Sequence, residues 1–291
     1  MTQVKRGLEA AESACKPFEC LAIRRGPTMN TKQRTKEFLK QSFPAVWLQW
    51  HFARRPKTAE RELSYLGKIV PQGARTVDVG ANCGLYTQQL ARLSKQVDAF
   101  EPSHDMAGLL RRTSAANVTI HEVALSDQNG EAELYIPQGE RGSVHGLASL
   151  EPQLQSSIAR VISINVPKAR LDTAVEGDVA FVKIDVEGHE LNVLHGATGL
   201  IDRCQPVFLV EAEDRHRAKA TKSVFEFFQD RSYRGFFLKD DQIMSVDQFS
   251  SDQLQDPSAL LPNGGRKDGR SYVNNFFFFP RHLDGESILA S

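Results

Sequence analysis

Three short stretches of this sequence concentrate side chains able to do chemistry. The first is Val77-Asp78-Val79-Gly80-Ala81-Asn82-Cys83-Gly84. An apolar strand runs into two glycines four residues apart and then directly into a helical pattern. Gly80 permits a tight turn, and Gly84 keeps a Cβ away from a ligand lying against the helix start. The spacing is not G-x-G-x-x-G, so a dinucleotide pyrophosphate fits poorly. Asp78, two residues before the first glycine, also disfavours pyrophosphate and suits a cationic amino group. S-Adenosylmethionine meets both demands. It carries an ammonium and a sulfonium, and its α-carboxylate can use the backbone N–H groups of the turn, where Ala81 and Asn82 lie. The competing reading is a structural strand–turn–helix with incidental glycines.

The second element favours the ligand. Glu101 ends the next apolar run, 17 residues after Gly84. An acid at about this distance beyond a glycine turn accepts hydrogen bonds from ribose hydroxyls in doubly wound nucleotide sites. Alone, such an acid would as readily be a helix cap.

The third stretch is Phe181-Val182-Lys183-Ile184-Asp185-Val186-Glu187-Gly188-His189-Glu190, an apolar strand leading into a charged turn. Asp185, Glu187, His189 and Glu190 fall within six positions at the carboxyl edge, where open α/β sheets bind ligands. Burying four titratable groups is costly without partners or a purpose. Glu190 fits the bland role of an acid at a helix start. Asp185 fits a site better, and Lys183 a structural pair with a neighbouring carboxylate. His195, beside Leu191 and Leu194, reads as packing.

These stretches need a frame that brings strand ends together, and the apolar pattern supplies one. Strand-like runs occur at 76–79, 97–100, 118–125, 181–184 and 207–210, with two more at 233–238 and 272–279. Helical spacing separates most of them, as in Leu85, Leu90 and Leu93, or Val224, Phe227 and Phe228. Strands alternating with helices predict a doubly wound α/β sheet, mostly parallel. The polar stretch 239–270 shows no clear helix, so the last strand is expected to be antiparallel. Residues 131–175 interrupt the rhythm with glycines and the alternating run 161–166, which predicts an inserted hairpin or mobile lid.

Composition excludes several classes. The 291 residues are 41% hydrophobic and 25% charged, ordinary for a folded protein. The 36 basic residues balance 36 acidic ones, so no global charge announces nucleic acid. The charge is uneven, however. Residues 1–75 hold 15 Lys/Arg and 6 Asp/Glu, a net of +9, and the remainder carries −9. A basic, partly helical extension over 1–59 therefore precedes the catalytic domain expected at 60–291. The uncharged stretch 41–53, with Trp47 and Trp50, is too short to span a bilayer. No secretory signal is visible, and Cys15, Cys20, Cys83 and Cys204 form neither metal-like pairs nor a disulfide framework. A cytoplasmic protein is the expectation, with no signal for an oligomeric state.

Together, Asp78–Gly84 (DVGANCG), Ala99–Pro102 (AFEP), Val123–Asp127 (VALSD) and Val182–Ala197 (VKIDVEGHELNVLHGA) resemble the FkbM-type S-adenosylmethionine-dependent methyltransferases. The resemblance covers about residues 60–280, and Val182–Ala197 is its most specific part. It implies a class I methyltransferase (Rossmann-like) sheet of seven strands, with the last antiparallel. It also implies O-methylation of a hydroxyl on a sugar, glycan or other small natural product. The cofactor residues it suggests are Asp78, Gly80, Ala81, Asn82, Gly84, Glu101, Ser126 and Asp127. The catalytic candidates are Asp185, Glu187 and His189. Cys83 stands where the family often has an aliphatic residue, and the basic extension has no family counterpart.

Methyl transfer is an in-line displacement, so the protein must align an acceptor oxygen and exclude water. A positioned base helps an aliphatic hydroxyl. His189 has the better ordinary pKa, and Asp185 the better position. A divalent ion on Asp185 and Glu187 lacks clear further ligands, so no metal is expected. The rivals are an RNA or protein methyltransferase using the basic extension, a non-catalytic cofactor-binding module and, least of all, a nicotinamide oxidoreductase. A small-molecule or glycan acceptor is the partner expected, and nucleic acid is not.

Overall fold

The computed structural model describes residues 61–291 apart from 140–141, 144, 153–159, 241, 261–266 and 268–269. The basic extension and the stretch 41–53 lie outside the described residues. Twelve strands run through the described chain, and they form two sheets. The first five, in chain order, are β1 (Arg75–Val79), β2 (Gln96–Phe100), β3 (Val118–His121), β4 (Ala124–Leu125) and β5 (Gly130–Gly139). Next come β6 (Gly142–Ser143), β7 (Val161–Ala169), β8 (Phe181–Ile184) and β9 (Val207–Glu211). The last three are β10 (Tyr233–Lys239), β11 (Gln242–Ser245) and β12 (Asn275–Pro280).

The main sheet has the order β11-β10-β12-β9-β8-β1-β2-β3. Its β9-β8-β1-β2-β3 half is parallel, and β12 inserts antiparallel between β9 and β10. This is the class I methyltransferase arrangement, with one strand more than the seven expected. The extra strand is β11, which pairs antiparallel with β10 inside the stretch that reads as polar in sequence. Its residues are half-exposed, so no continuous apolar run marks it.

Apolar packing covers both faces of this sheet. The tract Phe276–Phe279 shows why a continuous phenylalanine run belongs in a central strand. Phe276 and Phe278 enter one core cluster, and Phe277 and Phe279 the other. A period of two sends successive side chains to opposite faces, and both faces here are dry. Phe278 stacks on Phe228 of the helix Ala220–Gln229, with ring centroids 4.0 Å apart.

The expected third strand at 118–125 is two strands in different sheets. The chain leaves the main sheet after His121, and Ala124–Leu125 pairs with β7 instead. Residues 130–139 and 161–169 form a long antiparallel pair, and with β4 and β6 they make a four-stranded second sheet. Ala124, Leu134, Ile136 and Val166 supply its own small core. The helices Leu85–Leu93 and His104–Thr113 follow β1 and β2, and the short helix Glu190–His195 follows β8. These crossovers leave the carboxyl ends of β1, β2 and β8 side by side.

Candidate active site

A cleft opens where those three strands end. The empty space at its mouth and within it, open solvent included, is about 570 Å³. Gly80, Asn82 and Glu101 line one flank, and Asp185, Glu187 and His189 line the other. His145, Ala148, Ser149 and Leu150 of the second sheet's segment close over the cleft.

The first flank is built from backbone. Gly80 has φ +76°, and a Cβ there would lie 1.7 Å from the Asp185 carbonyl oxygen. Only glycine lets β1 and β8 exit this close together. The N–H groups of Gly80 and Ala81 both donate to the Phe100 carbonyl, at 3.0 Å each. Glu101 then ties the turn to the next loop. Its Oε2 accepts from Asn82 N and its Oε1 from Ser103 N, each at 2.8 Å. Burial pushes the Glu101 carboxyl up to about 7 against the lowering effect of these two N–H groups, with Asp78 and Asp185 adding to the rise. A carboxylate has lone pairs beyond those two bonds, so Glu101 can accept a diol as well.

Asp78 is not part of the lining. It is 2% exposed and accepts from Thr87 Oγ1 at 2.5 Å, one layer beneath the turn. Burial raises its carboxyl to about 6, offset in part by Thr87 and Lys183. Register explains the position, because Asp78 precedes the end of β1 and pairs beside Lys183 of β8. Gly84 also differs from expectation. A Cβ there would lie 2.7 Å from Leu110 Cδ2, so its smallness serves helix packing. Ala81 is buried with Ala99 and Leu110. Ser126 and Asp127 sit at the far side of His189 and do not line the cleft.

The second flank is built from side chains brought together over long sequence separations. His189 is held at both ring nitrogens, Nε2 2.9 Å from Ser126 Oγ and Nδ1 2.7 Å from Glu151 Oε1. Ser149 Oγ donates to the Glu187 carbonyl at 2.6 Å and accepts from Glu151 N at 3.0 Å. These bonds dock the covering segment on the 185–190 turn. At the other end of the segment, His145 Nδ1 stands 3.0 Å from Ser103 Oγ.

Glu187, at φ +53°, faces His216, whose Nε2 is 2.7 Å away although the N–H does not point along the line to the oxygen. Burial disfavours a charged ring, but Glu187 and Glu213 outweigh it and hold His216 up to about 9. Burial likewise raises the Glu187 carboxyl, with His216 opposing. Glu213 accepts from Arg215 at 2.5 and 2.9 Å and from the Tyr272 hydroxyl. Glu190 is 1% exposed, accepts from Gly188 N at 2.7 Å and has its carboxyl raised by burial to about 7.

Asp185 stands apart from this network. Among the described residues its carboxylate makes no hydrogen bond or ion pair, and it lines the cleft directly. Lys183 does not hold it. That ammonium is 1% exposed and donates to Asn275 Oδ1 at 3.1 Å, with Glu211 at 3.8 Å and the Tyr86 ring at 5.0 Å. Among the described residues no group of three or more His, Cys, Asp or Glu side chains is placed to hold a metal ion.

The residues present fit S-adenosylmethionine. A positive-φ glycine turn leaves no Cβ over the strand end, a buried acid with spare acceptor capacity sits at the end of β2, and Val79, Phe100, Pro102 and Leu125 add apolar lining. Ser149, Glu151 and His216 lie in no sequence motif, and only the fold brings Ser149 into the lining and the other two against His189 and Glu187, which line it.

A family model described as the methyltransferase FkbM domain matches residues 78–235. Over 73 residues the chain is 38% identical to the probable ribosomal RNA small subunit methyltransferase A of Pyrobaculum aerophilum, covering 25% of this chain and 30% of that protein. Among solved structures, an FkbM methyltransferase from Methylobacillus flagellatus KT aligns with TM-score 0.46 and 15% identity, over 71% of this chain and 44% of that one. An rRNA methylase from Streptococcus thermophilus aligns with TM-score 0.43 and 13% identity, over 78% and 98%. An S-adenosylmethionine-dependent O-methyltransferase from Thermotoga maritima gives TM-score 0.42 and 13% identity, over 81% and 71%.

Proposed function

The chain belongs to the FkbM methyltransferase family, with S-adenosylmethionine as its methyl donor, and we propose that it methylates a hydroxyl oxygen on a sugar, glycan or other small natural product. The observation that carries the acceptor side is Asp185, a cleft-lining carboxylate with no hydrogen-bond or ion-pair partner among the described residues. The bound cofactor supplies an activated methyl carbon. Every other requirement falls on side chains of this protein.

Asp185 accepts the acceptor's hydroxyl proton as the oxygen attacks. His189 is a positioning residue, because Ser126 and Glu151 occupy both of its nitrogens. Glu101 holds the ribose diol while fixing the turn through Asn82. Asp78 and Lys183 set the charge beneath the turn, and Glu187 orders the loop around His216. The segment Ala148–Glu151 acts as a lid that excludes water, held shut by Ser149. On this reading the reaction is cytoplasmic. Among the described residues no helix is long and apolar enough to cross a membrane.

The local similarity to a ribosomal RNA methyltransferase, together with the +9 charge of residues 1–75, favours RNA as the second reading. One experiment separates the two. The full-length protein is incubated with deuteromethyl-labelled cofactor and either a metabolite extract or total RNA, followed by mass spectrometry. A trideuteromethyl ether on a small molecule or glycan is expected. Label in RNA alone, with salt-sensitive RNA binding, would replace the acceptor reading.

A further inference from the structure

The segment that covers the cleft touches both flanks. On the acceptor flank, Ser149 donates to the Glu187 carbonyl and Glu151 holds His189. Behind, Ala148 and Leu150 rest on the small core of the second sheet. On the cofactor flank the contact falls to His145, a cleft-lining residue that sits in no motif and that the proposed chemistry leaves without a role. Its Nδ1 stands 3.0 Å from Ser103 Oγ, and its Nε2 lies 3.6 Å from the exposed Asp105 carboxylate.

Ser103 gives this contact its meaning. It is the N-cap of the helix His104–Thr113, where a serine hydroxyl ordinarily accepts from an N–H of the first turn. Here it makes no such bond. The residue is 2% exposed, and its hydroxyl is turned to His145 instead. Forgoing the cap weakens the helix start, which the bond to His145 offsets. The backbone N–H of Ser103 meanwhile donates to Glu101 Oε1 at 2.8 Å. One buried serine therefore joins the acid at the end of β2 to the cover across the cleft.

From this juxtaposition we infer that His145 is a latch over the cofactor. S-Adenosylmethionine enters, and S-adenosylhomocysteine leaves, only when His145 releases Ser103 and the cover lifts from the cofactor flank. The inference rests on the cofactor reading of that flank and does not depend on the identity of the acceptor. A latch differs from a binding contact in its kinetics. Loss of a contact speeds departure and leaves entry alone, so affinity falls. Loss of a latch that closes with and without ligand frees traffic in both directions, so both rates rise and affinity changes little.

The test measures entry and departure of tritiated S-adenosylhomocysteine on full-length protein, by rapid mixing and by chase with unlabelled compound. His145→Ala should raise both rate constants by about three- to tenfold, the scale of one hydrogen bond, and leave Kd within about twofold of wild type. His145→Asn, whose amide can stand in for Nδ1, should keep both rates near wild type. Ser103→Ala removes the hydroxyl and keeps the backbone bond to Glu101. It should match His145→Ala, the double variant should add nothing further, and it carries the test if His145→Ala does not fold. Unchanged rates in the single variants overturn the inference. Faster departure with unchanged entry also overturns it, because His145 would then be a plain contact. A protein that binds no S-adenosylhomocysteine would instead remove the cofactor reading, and this inference with it.

Discussion

The two flanks of the cleft are made in opposite ways. The glycine-turn flank is local: Gly80, Asn82 and Glu101 fall within 22 consecutive residues, and the bonds that shape it are mostly to backbone. The acid flank is assembled at a distance. His189 meets Ser126 across 63 positions and Glu151 across 38, and Glu187 meets His216 from another strand's turn. On the proposed function, the backbone-built flank takes the cofactor and the flank of loop side chains takes the acceptor. The difference also shows in the charges. Glu101 and Asp78 are raised chiefly by burial, whereas His216 is decided by which carboxylates the fold brings to it.

If the first flank depends on backbone fit, Gly80→Ala should be the most damaging single change. The added Cβ meets the Asp185 carbonyl at 1.7 Å, at a φ that alanine disfavours. Strain and overpacking together should cost about 3–5 kcal/mol in denaturant unfolding. A near-neutral result would mean that the two strand ends can separate.

The second flank should instead reveal itself through pH. Folding raises His216 from its ordinary 6.5 to about 9, so its stabilisation is complete below 6.5 and is lost as pH rises through 9. Glu187, Glu213 and Arg215 are the charged groups around it. The wild type should lose up to about 3 kcal/mol between these limits through this group, and His216→Asn should flatten that slope. Parallel slopes in the two proteins would show that the ring is not held charged. Smaller again, Glu101→Ala should weaken S-adenosylhomocysteine by about 1.5–3 kcal/mol in calorimetry, the scale of hydrogen bonds to a charged group. Unchanged affinity would place the ribose elsewhere.

The same contrast explains what could be read before the fold was known. Alternating apolar runs and helical spacing carry the parallel sheet, because each strand's burial is written in its own residues, as in Phe276–Phe279. That Gly80 and Glu101 reach the cleft is legible from sequence because each follows directly from the strand it ends. The motif's spacing points Asp78 and Gly84 at the ligand, yet strand register and Leu110 turn them into the packing below. The break at Glu122 and Val123 was invisible, since one apolar run serves two sheets. Half-exposed β11 left no periodic signal, and Ser149, Glu151 and His216 acquire meaning only from long-range contacts.

The measurement that bears most directly on the acceptor side is a comparison of Asp185→Asn with the wild type. Asparagine keeps the shape of the side chain and removes its ability to take a proton. Melting temperature and S-adenosylhomocysteine affinity should stay near wild-type values, because among the described residues no neighbour hydrogen-bonds to or pairs with this carboxylate. Turnover on the acceptor found by isotope labelling should fall by about 10²–10⁴, the usual contribution of a positioned base. A stable Asp185→Asn protein with full turnover would contradict the account, and a loss of cofactor affinity equal to the loss of activity would move Asp185 to the other flank.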